Sequence, residues 1–214
     1  MICRVIQQRA GSRLEWLVEQ DGTALCKAVA PFERGRFNIH VEFANGEKYR
    51  MYFNPSDKQY GASMTARFSF KLLQDEQLIS LVNAPNKMLK GWFKSYQYRV
   101  VNFKGTPYYL YEVGFGYKGL YLCIYREEEL IAVVQKDLVV RNFLDTYTIY
   151  GLDEKDLPMM MPLLLHYDTM ANGDITQMAV SSVKVTTRNT IQPELIAKYD
   201  PEFIPRIKAM HGIK

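Results

Sequence analysis

The chain has 214 residues, of which 48% are hydrophobic and 13% aromatic, so a folded core is expected and a disordered chain is excluded. Its formal net charge of +4 is too small to indicate a nucleic-acid partner, and we expect none.

Five β-hairpins are predicted in succession, each from two short strand-like segments joined by turn residues. The turns lie at residues 21–22, 44–47, 74–76, 105–107 and 127–129. The first is the clearest, because the dipeptide Asp21-Gly22 is favoured where two consecutive residues need positive φ. A further strand, DTYTIYGL, leads directly into a long apolar segment.

This apolar segment predicts a helix over residues 156–171, with Asp156 as its N-cap and Pro158 in the first turn. Pro162 lies further in and should kink or loosen the helix. Residues 157–165 are apolar on every side, yet a membrane span would need about twenty such residues. We therefore interpret the segment as a helix enclosed by the rest of a soluble fold.

The combination of many short strands with one enclosed helix favours a closed barrel over a sandwich. A sandwich core is about 10 Å thick and is filled by its own side chains, which leaves no room for a helix about 10 Å in diameter. A barrel of roughly a dozen strands is wide enough and has no exposed edges. The predicted fold is mainly β: a closed antiparallel β-barrel around a central hydrophobic helix, with a short helical C-terminal tail.

We expect residues 1–188 to form the barrel with its helix, and residues 189–214 to form a helical extension that packs on it. Four apolar residues of this extension recur at helical spacing: Phe203, Ile204, Ile207 and Met210. A second interpretation is that the extension binds a protein partner or another copy of the chain.

The last third of the chain contains several features in a specific order. They are Ile131-Ala132, Gln135-Lys136, a strand with Asp145, Thr146, Tyr147 and Ile149, an acidic turn at Asp153-Glu154, the apolar helix, and Asp168. Earlier, Trp16, Val18, Gln20 and Gly22 form a pattern typical of a first hairpin. These features resemble the tubby C-terminal-like superfamily, especially its LURP-one-related branch. The resemblance is best over residues 110–171.

The resemblance implies a twelve-stranded barrel around a central hydrophobic helix. Tubby proteins in this superfamily bind phosphoinositide headgroups through Lys and Arg on the barrel wall. No lipid-binding motif can be matched residue by residue in this chain, so that activity does not follow from the resemblance.

A basic and aromatic segment is nevertheless a candidate site for an anionic phospholipid headgroup. Its cations are Lys87, Lys90, Lys94, Arg99 and Lys104. Cations beside aromatic residues suit an anionic membrane surface, which is the partner this hypothesis predicts. The alternative is a barrel strand whose aromatic residues pack inward and whose lysines are merely solvated. Strand alternation would place Lys94, Tyr96 and Tyr98 on one face and Ser95, Gln97 and Arg99 on the other.

His166 and Asp168 are candidate polar residues at a barrel mouth, where the central helix ends. Two positions apart on a helix, they do not share a face, and a helix-end polar cluster is favoured over a catalytic pair. None of the three histidines has a second ligand at a metal-binding offset, and no catalytic motif occurs. We expect no metal, no cofactor and no catalytic residue.

The favoured function is a non-enzymatic binding or scaffolding protein, with anionic phospholipid headgroups as candidate ligands. The alternative is a small-molecule-binding protein or an enzyme that uses a pocket at a barrel mouth, near the end of the central helix. Two features predict a cytoplasmic location. The amino-terminal segment is too polar for a signal peptide. The three cysteines, Cys3, Cys26 and Cys123, suit buried, reduced thiols.

Overall fold

The chain forms a closed antiparallel barrel of twelve strands around a central helix, in a computed structural model. The structure describes residues 1–33, 36–53, 70–89, 95–142, 144–171, 182–184 and 189–213. The predicted fold class is confirmed.

The strands are numbered in chain order. They are β1 (Ile2–Arg9), β2 (Arg13–Gln20), β3 (Thr23–Glu33), β4 (Arg36–Phe37), β5 (Ile39–Phe43), β6 (Lys48–Phe53), β7 (Phe70–Gln74), β8 (Gln77–Asn83), β9 (Asn86–Met88), β10 (Ser95–Phe103), β11 (Thr106–Gly114), β12 (Leu120–Arg126), β13 (Glu129–Lys136), β14 (Val139–Arg141), β15 (Thr146–Gly151) and β16 (Ser182–Lys184).

The barrel wall follows the chain order around the ring, with three departures. The short strands β4, β9 and β14 leave the ring and pair with β3, β10 and β16 respectively. The last wall strand, β15, pairs with both β13 and β1, which closes the ring. Because every wall strand then has two neighbours, the barrel satisfies its backbone groups without an open edge.

The predicted hairpins are present, with small shifts in their turns. Asp21 and Gly22 both have positive φ, 50° and 78°, as their sequence predicts. In the fourth hairpin the positive-φ residues are Lys104 and Gly105, so the turn begins one residue earlier than predicted. The strand β1 was not predicted, although it holds the ring closed.

The central helix α1 spans Leu157–Ala171 and follows a 3-10 turn at Glu154–Asp156. Its leucines and methionines between positions 157 and 165 are at most 2% exposed. Side chains of α1 contact Trp16 on β2, Phe70 on β7 and Tyr147 on β15, which lie on different parts of the wall. The helix is therefore surrounded by the sheet. Within the described ranges, no helix has both the length and the apolar character needed to cross a membrane.

The tail contains two short helices, α2 (Pro193–Ile196) and α3 (Phe203–Met210), which pack on the outside of the barrel. Phe203 and Ile207 are buried against Val133 and Tyr150. Leu195 of α2 joins a second cluster with Val113 and Cys123. Of the four apolar tail residues predicted at helical spacing, Met210 alone stays exposed, at 67%.

Candidate functional site

The N-terminal end of α1 is closed by a fully paired polar cluster. The Asp156 carboxylate is 3% exposed and accepts hydrogen bonds from Tyr108 Oη, at 3.0 Å, and from Arg126 Nη1, at 3.1 and 3.2 Å. Arg126 also donates to Glu129 at 2.7 Å. Asp156 thus ties two wall strands to the start of the helix, in place of the capping role predicted from the sequence.

Near the C-terminal end of α1, the Asp168 carboxylate joins two other wall strands. It accepts hydrogen bonds from Trp16 Nε1, at 3.0 Å, and from the Tyr147 hydroxyl. Burial, and next the negative charge of Asp168, raise the pKa of Tyr147 well above its usual value, so this phenol remains a donor. These contacts favour a structural role for Asp168.

The predicted pair His166 and Asp168 is enclosed rather than displayed at an opening. The two side chains are 0% and 2% exposed. The His166 ring packs edge-on against Phe70, with 4.8 Å between ring centroids, whereas Asp168 contacts Trp16 and Tyr147. These contacts are made with different residues of the wall, as the spacing argument predicts.

A third polar contact lies between β13 and the start of β15. Lys136 Nζ and Asp145 Oδ2 are 2.6 Å apart, and both side chains are 8% exposed. The backbone of Asp145 exchanges hydrogen bonds with the backbone and side chain of Gln7 on β1. This buried ion pair fixes the strands where the ring closes.

A polar cavity of about 340 Å³ lies where the C-terminal tail crosses the barrel wall; we call it the tail pocket. Strands β9, β10 and β11 provide one side, and the tail provides the other. The lining residues are Asn86, Ser95, Tyr96, Gln97, Arg99, Glu112, Thr190, Gln192 and Leu195.

Arg99 is the residue of the tail pocket that most needs an explanation. It lies on β10, is 6% exposed, and its guanidinium carbon is 4.5 Å from the centroid of the Tyr167 ring on α1. Its guanidinium makes no hydrogen bond to a described residue, and its Nε is buried without a partner there. Burial lowers the pKa of Arg99. Buried charges in proteins are normally paired, so this cation is unusual.

Glu112 on β11 provides a carboxylate to the same pocket. Because Arg99 lies opposite Leu110 across the two strands, Glu112 is its diagonal neighbour. Glu112 also acts on Tyr167 of α1: burial, followed by the negative charge of Glu112, raises the pKa of that phenol. Among the described ion pairs, none joins Arg99 to Glu112 within 4.0 Å, although the carboxylate acts on the guanidinium through space.

The tail side of the pocket is fixed to the wall by several polar contacts. Gly114 N donates to Thr190 Oγ1 at 2.9 Å, and Thr190 N donates to the Gly114 carbonyl at 2.8 Å. Lys87 Nζ lies 2.9 Å from a Glu194 carboxylate oxygen. The tail is thus held in register over the open side of β10 and β11, and completes the cavity.

The candidate headgroup residues are distributed rather than gathered. Lys87 is paired with Glu194, Arg99 faces the barrel interior, and Lys104 lies in the turn after β10. Lys87 pairs with the beginning of β10, so roughly 27 Å of strand separates it from Lys104. Lys90 and Lys94 lie outside the described residues. A headgroup site in this segment stays a prediction.

Strand alternation separated Tyr96 and Tyr98 from Arg99. The two tyrosines belong to an outer aromatic cluster, whereas Arg99 contacts Tyr167 on α1. The tail pocket reaches residues of both groups, because Tyr96 lines it beside Ser95, Gln97 and Arg99. The sequence analysis did not identify Glu112, Thr190 or Gln192. Alternation along β11 was the available signal for Glu112, since the buried Tyr108 and Leu110 precede it at a spacing of two.

The tail pocket can bind a ligand through charge and hydrogen bonds. Its described residues provide one guanidinium, one carboxylate, amides and hydroxyl groups. Across the part of the chain that the structure describes, no group of three His, Cys, Asp or Glu side chains is arranged to hold a metal ion.

Comparison of the chain with family models, with curated proteins and with solved structures finds no match. The resemblance to the tubby C-terminal-like superfamily therefore stays a prediction.

Proposed function

We propose that this chain is a non-catalytic binding protein whose tail pocket receives a small ligand with an acidic group. Arg99 carries the proposal: it is a buried guanidinium without a hydrogen-bond partner among the described residues, on the wall of a polar cavity. A carboxylate or phosphate oxygen would supply the acceptors that the protein withholds.

Energetics favour this explanation of Arg99 over a structural one. An unsatisfied buried polar group costs about 1–3 kcal/mol, and more when it is charged. The cation–π contact with Tyr167 returns about 0.5–2 kcal/mol, and a ring face offers the N–H edge of the guanidinium no oxygen acceptor. The edge therefore remains available for an acidic ligand, with its N–H groups in the fork geometry that carboxylates and phosphates fit.

The composition of the pocket favours binding over catalysis. Its described lining residues include a single carboxylate, Glu112. The remaining described groups, amides and hydroxyls, suit recognition by hydrogen bonds. Kinship with tubby-like proteins, proposed from the sequence alone, is compatible with a binding role of this kind.

The test is a titration of isotope-labelled protein with acetate, inorganic phosphate and glycine, followed by amide NMR shifts. We expect at least one probe to shift the amides of Gln97, Arg99 and Thr190 saturably, and Arg99→Met to abolish those shifts. Glu128→Gln, an exposed change in the β12–β13 turn, is the matched control and should leave them intact. Equal responses of the wild type and Arg99→Met would refute the proposal.

A separate measurement tests the headgroup prediction for residues 87–104. Vesicles that contain anionic phospholipid should retain the protein at low salt and release it at high salt if this segment binds membranes. Retention that is unaffected by Arg99→Met would place the membrane contact outside the tail pocket. No retention at low salt would rule out the membrane hypothesis.

A further inference from the structure

We infer that the ligand of the tail pocket is a small zwitterion, with a carboxylate on Arg99 and an ammonium group on Glu112. The inference rests on the proposed function and specifies its ligand class. The observation behind it is that the pocket holds one buried cation and one carboxylate that are neighbours without being paired.

The positions of the two groups suit a bridging molecule. Arg99 and Glu112 are diagonal neighbours on adjacent strands, where Cβ atoms lie within about 7–8 Å. Both line the same cavity, and the guanidinium carbon of Arg99 lies 4.5 Å from the centroid of the Tyr167 ring. Among the described ion pairs, none joins the two charged groups within 4.0 Å, so both charges are available to a bridging ligand.

Unused hydrogen-bonding capacity remains on both sides. The guanidinium has five N–H donors along its edge. A carboxylate has about four acceptor sites, so an ammonium group would find acceptors on Glu112.

Charge balance argues against a simple anion. Among the described lining residues of the tail pocket, the charged ones are Arg99 and Glu112, and their charges sum to zero. A lone carboxylate or phosphate on Arg99 would be repelled by Glu112 at close range in a poorly solvated site. A zwitterion leaves each charge of the pocket with an opposite partner.

The size of the cavity restricts the ligand further. A volume of about 340 Å³ is at the lower end of the range of roughly 300–1,000 Å³ for ligand pockets. The neutral polar groups around the two charges, which include Asn86, Ser95 and Gln192, favour a compact polar molecule over an extended apolar one. Small amino acids fit these requirements.

Isothermal titration with matched probes tests the inference. The zwitterions are glycine, β-alanine and 4-aminobutyrate; the matched monoacids are acetate, propionate and butyrate; the matched amine is propylamine. We expect at least one zwitterion to bind about tenfold or more tightly than its matched monoacid, because a hydrogen bond to a charged group typically changes affinity about 10- to 100-fold.

Variants of the two charged residues separate the outcomes. Glu112→Gln should weaken zwitterion binding about tenfold or more and leave the monoacid equal or stronger, Glu112→Asp should restore part of the loss, and Glu128→Gln should change neither. Each variant's thermal unfolding is measured without ligand to confirm that it folds. If monoacids bind as tightly as zwitterions in an Arg99-dependent way, the zwitterion inference is wrong and the proposed function stands. If no probe binds the wild type, both are wrong.

Discussion

Replacing Arg99 with methionine and replacing Arg126 with methionine should change the free energy of unfolding of the protein in opposite directions. Arg99 and Arg126 both lie on wall strands near an end of α1, and methionine is a flexible apolar side chain of similar reach. Arg99 makes no hydrogen bond to a described residue. Arg126 donates to Asp156 and Glu129. The two substitutions therefore remove the same chemical group from opposite electrostatic situations.

The expected magnitudes follow from these contacts. Arg99→Met removes an unsatisfied buried cation, worth about 1–3 kcal/mol, and forfeits a Tyr167 contact worth about 0.5–2 kcal/mol. We expect a net stabilisation of about 1 kcal/mol. Arg126→Met leaves the Asp156 carboxylate buried without its cation, which costs about 3–5 kcal/mol for a fully buried pair. Because Arg126 is 28% exposed, we expect about 2–3 kcal/mol of destabilisation.

Urea unfolding of the two variants and the wild type measures the difference. In thermal unfolding, 1 kcal/mol corresponds to about 2–4 °C in Tm for a domain of this size, so the Tm values of the two variants should differ by roughly 10 °C. If Arg99→Met destabilised the protein as much as Arg126→Met does, Arg99 would be an ordinary structural residue. The argument for the tail pocket would then lose its basis.

Three further predictions concern the barrel interior. Lys136→Met should lower the free energy of unfolding in urea by about 3 kcal/mol, because it leaves the buried Asp145 carboxylate without its cation. The double variant with Asp145→Leu should recover much of this loss. If it recovered none, the ion pair would not be the cause of the loss. Tyr147→Phe should cost about 1.5–3 kcal/mol by removing a donor to the Asp168 carboxylate, and a cost under 0.5 kcal/mol would contradict the anchoring role of that group. Burial raises the pKa of the Cys3, Cys26 and Cys123 thiols to about 12. A thiol reagent at pH 8 should therefore label the native protein at least about a thousandfold more slowly than the urea-unfolded protein. Comparable labelling rates would mean that the barrel opens readily.

The architecture was predictable because two independent signals agree. Turn residues such as Asp21 and Gly22 adopt the positive φ that closes a hairpin, and this preference is local. The helix over residues 157–165 has no polar side, so only an enclosing sheet could bury it. Local hairpins and one global burial requirement leave a closed barrel as the simplest solution.

The strand β1 escaped prediction because its stabilisation is non-local. It pairs with β15, almost 150 residues later in the chain: Ile2 lies opposite Tyr150. The Asp156 contacts were missed for the same reason, since they join it to Tyr108 and Arg126 on distant strands. Such pairings depend on which strands become neighbours when the ring closes, and the local pattern does not specify them.

The tail pocket was predictable in part. Alternation placed Arg99 on the opposite face of β10 from Tyr96 and Tyr98, and in the structure Arg99 contacts α1 whereas the two tyrosines join an outer cluster. The diagonal position of Glu112 depends on the register of β10 against β11, and the contribution of Thr190 depends on where the tail docks. Both are tertiary facts that a one-dimensional pattern leaves open.

Arg99 and Arg126 differ in their hydrogen bonds, and this difference distinguishes a candidate binding site from structural polar groups. Asp156, Asp168 and Asp145 are all buried carboxylates, and each has a donor from another strand. These described carboxylates are thus paired where they join strands. Arg99 departs from this pattern beside the tail pocket, where it has no hydrogen-bond partner among the described residues. Because the other described buried charges are paired, the lack of a partner for Arg99 is best explained if that partner is a ligand from outside the protein.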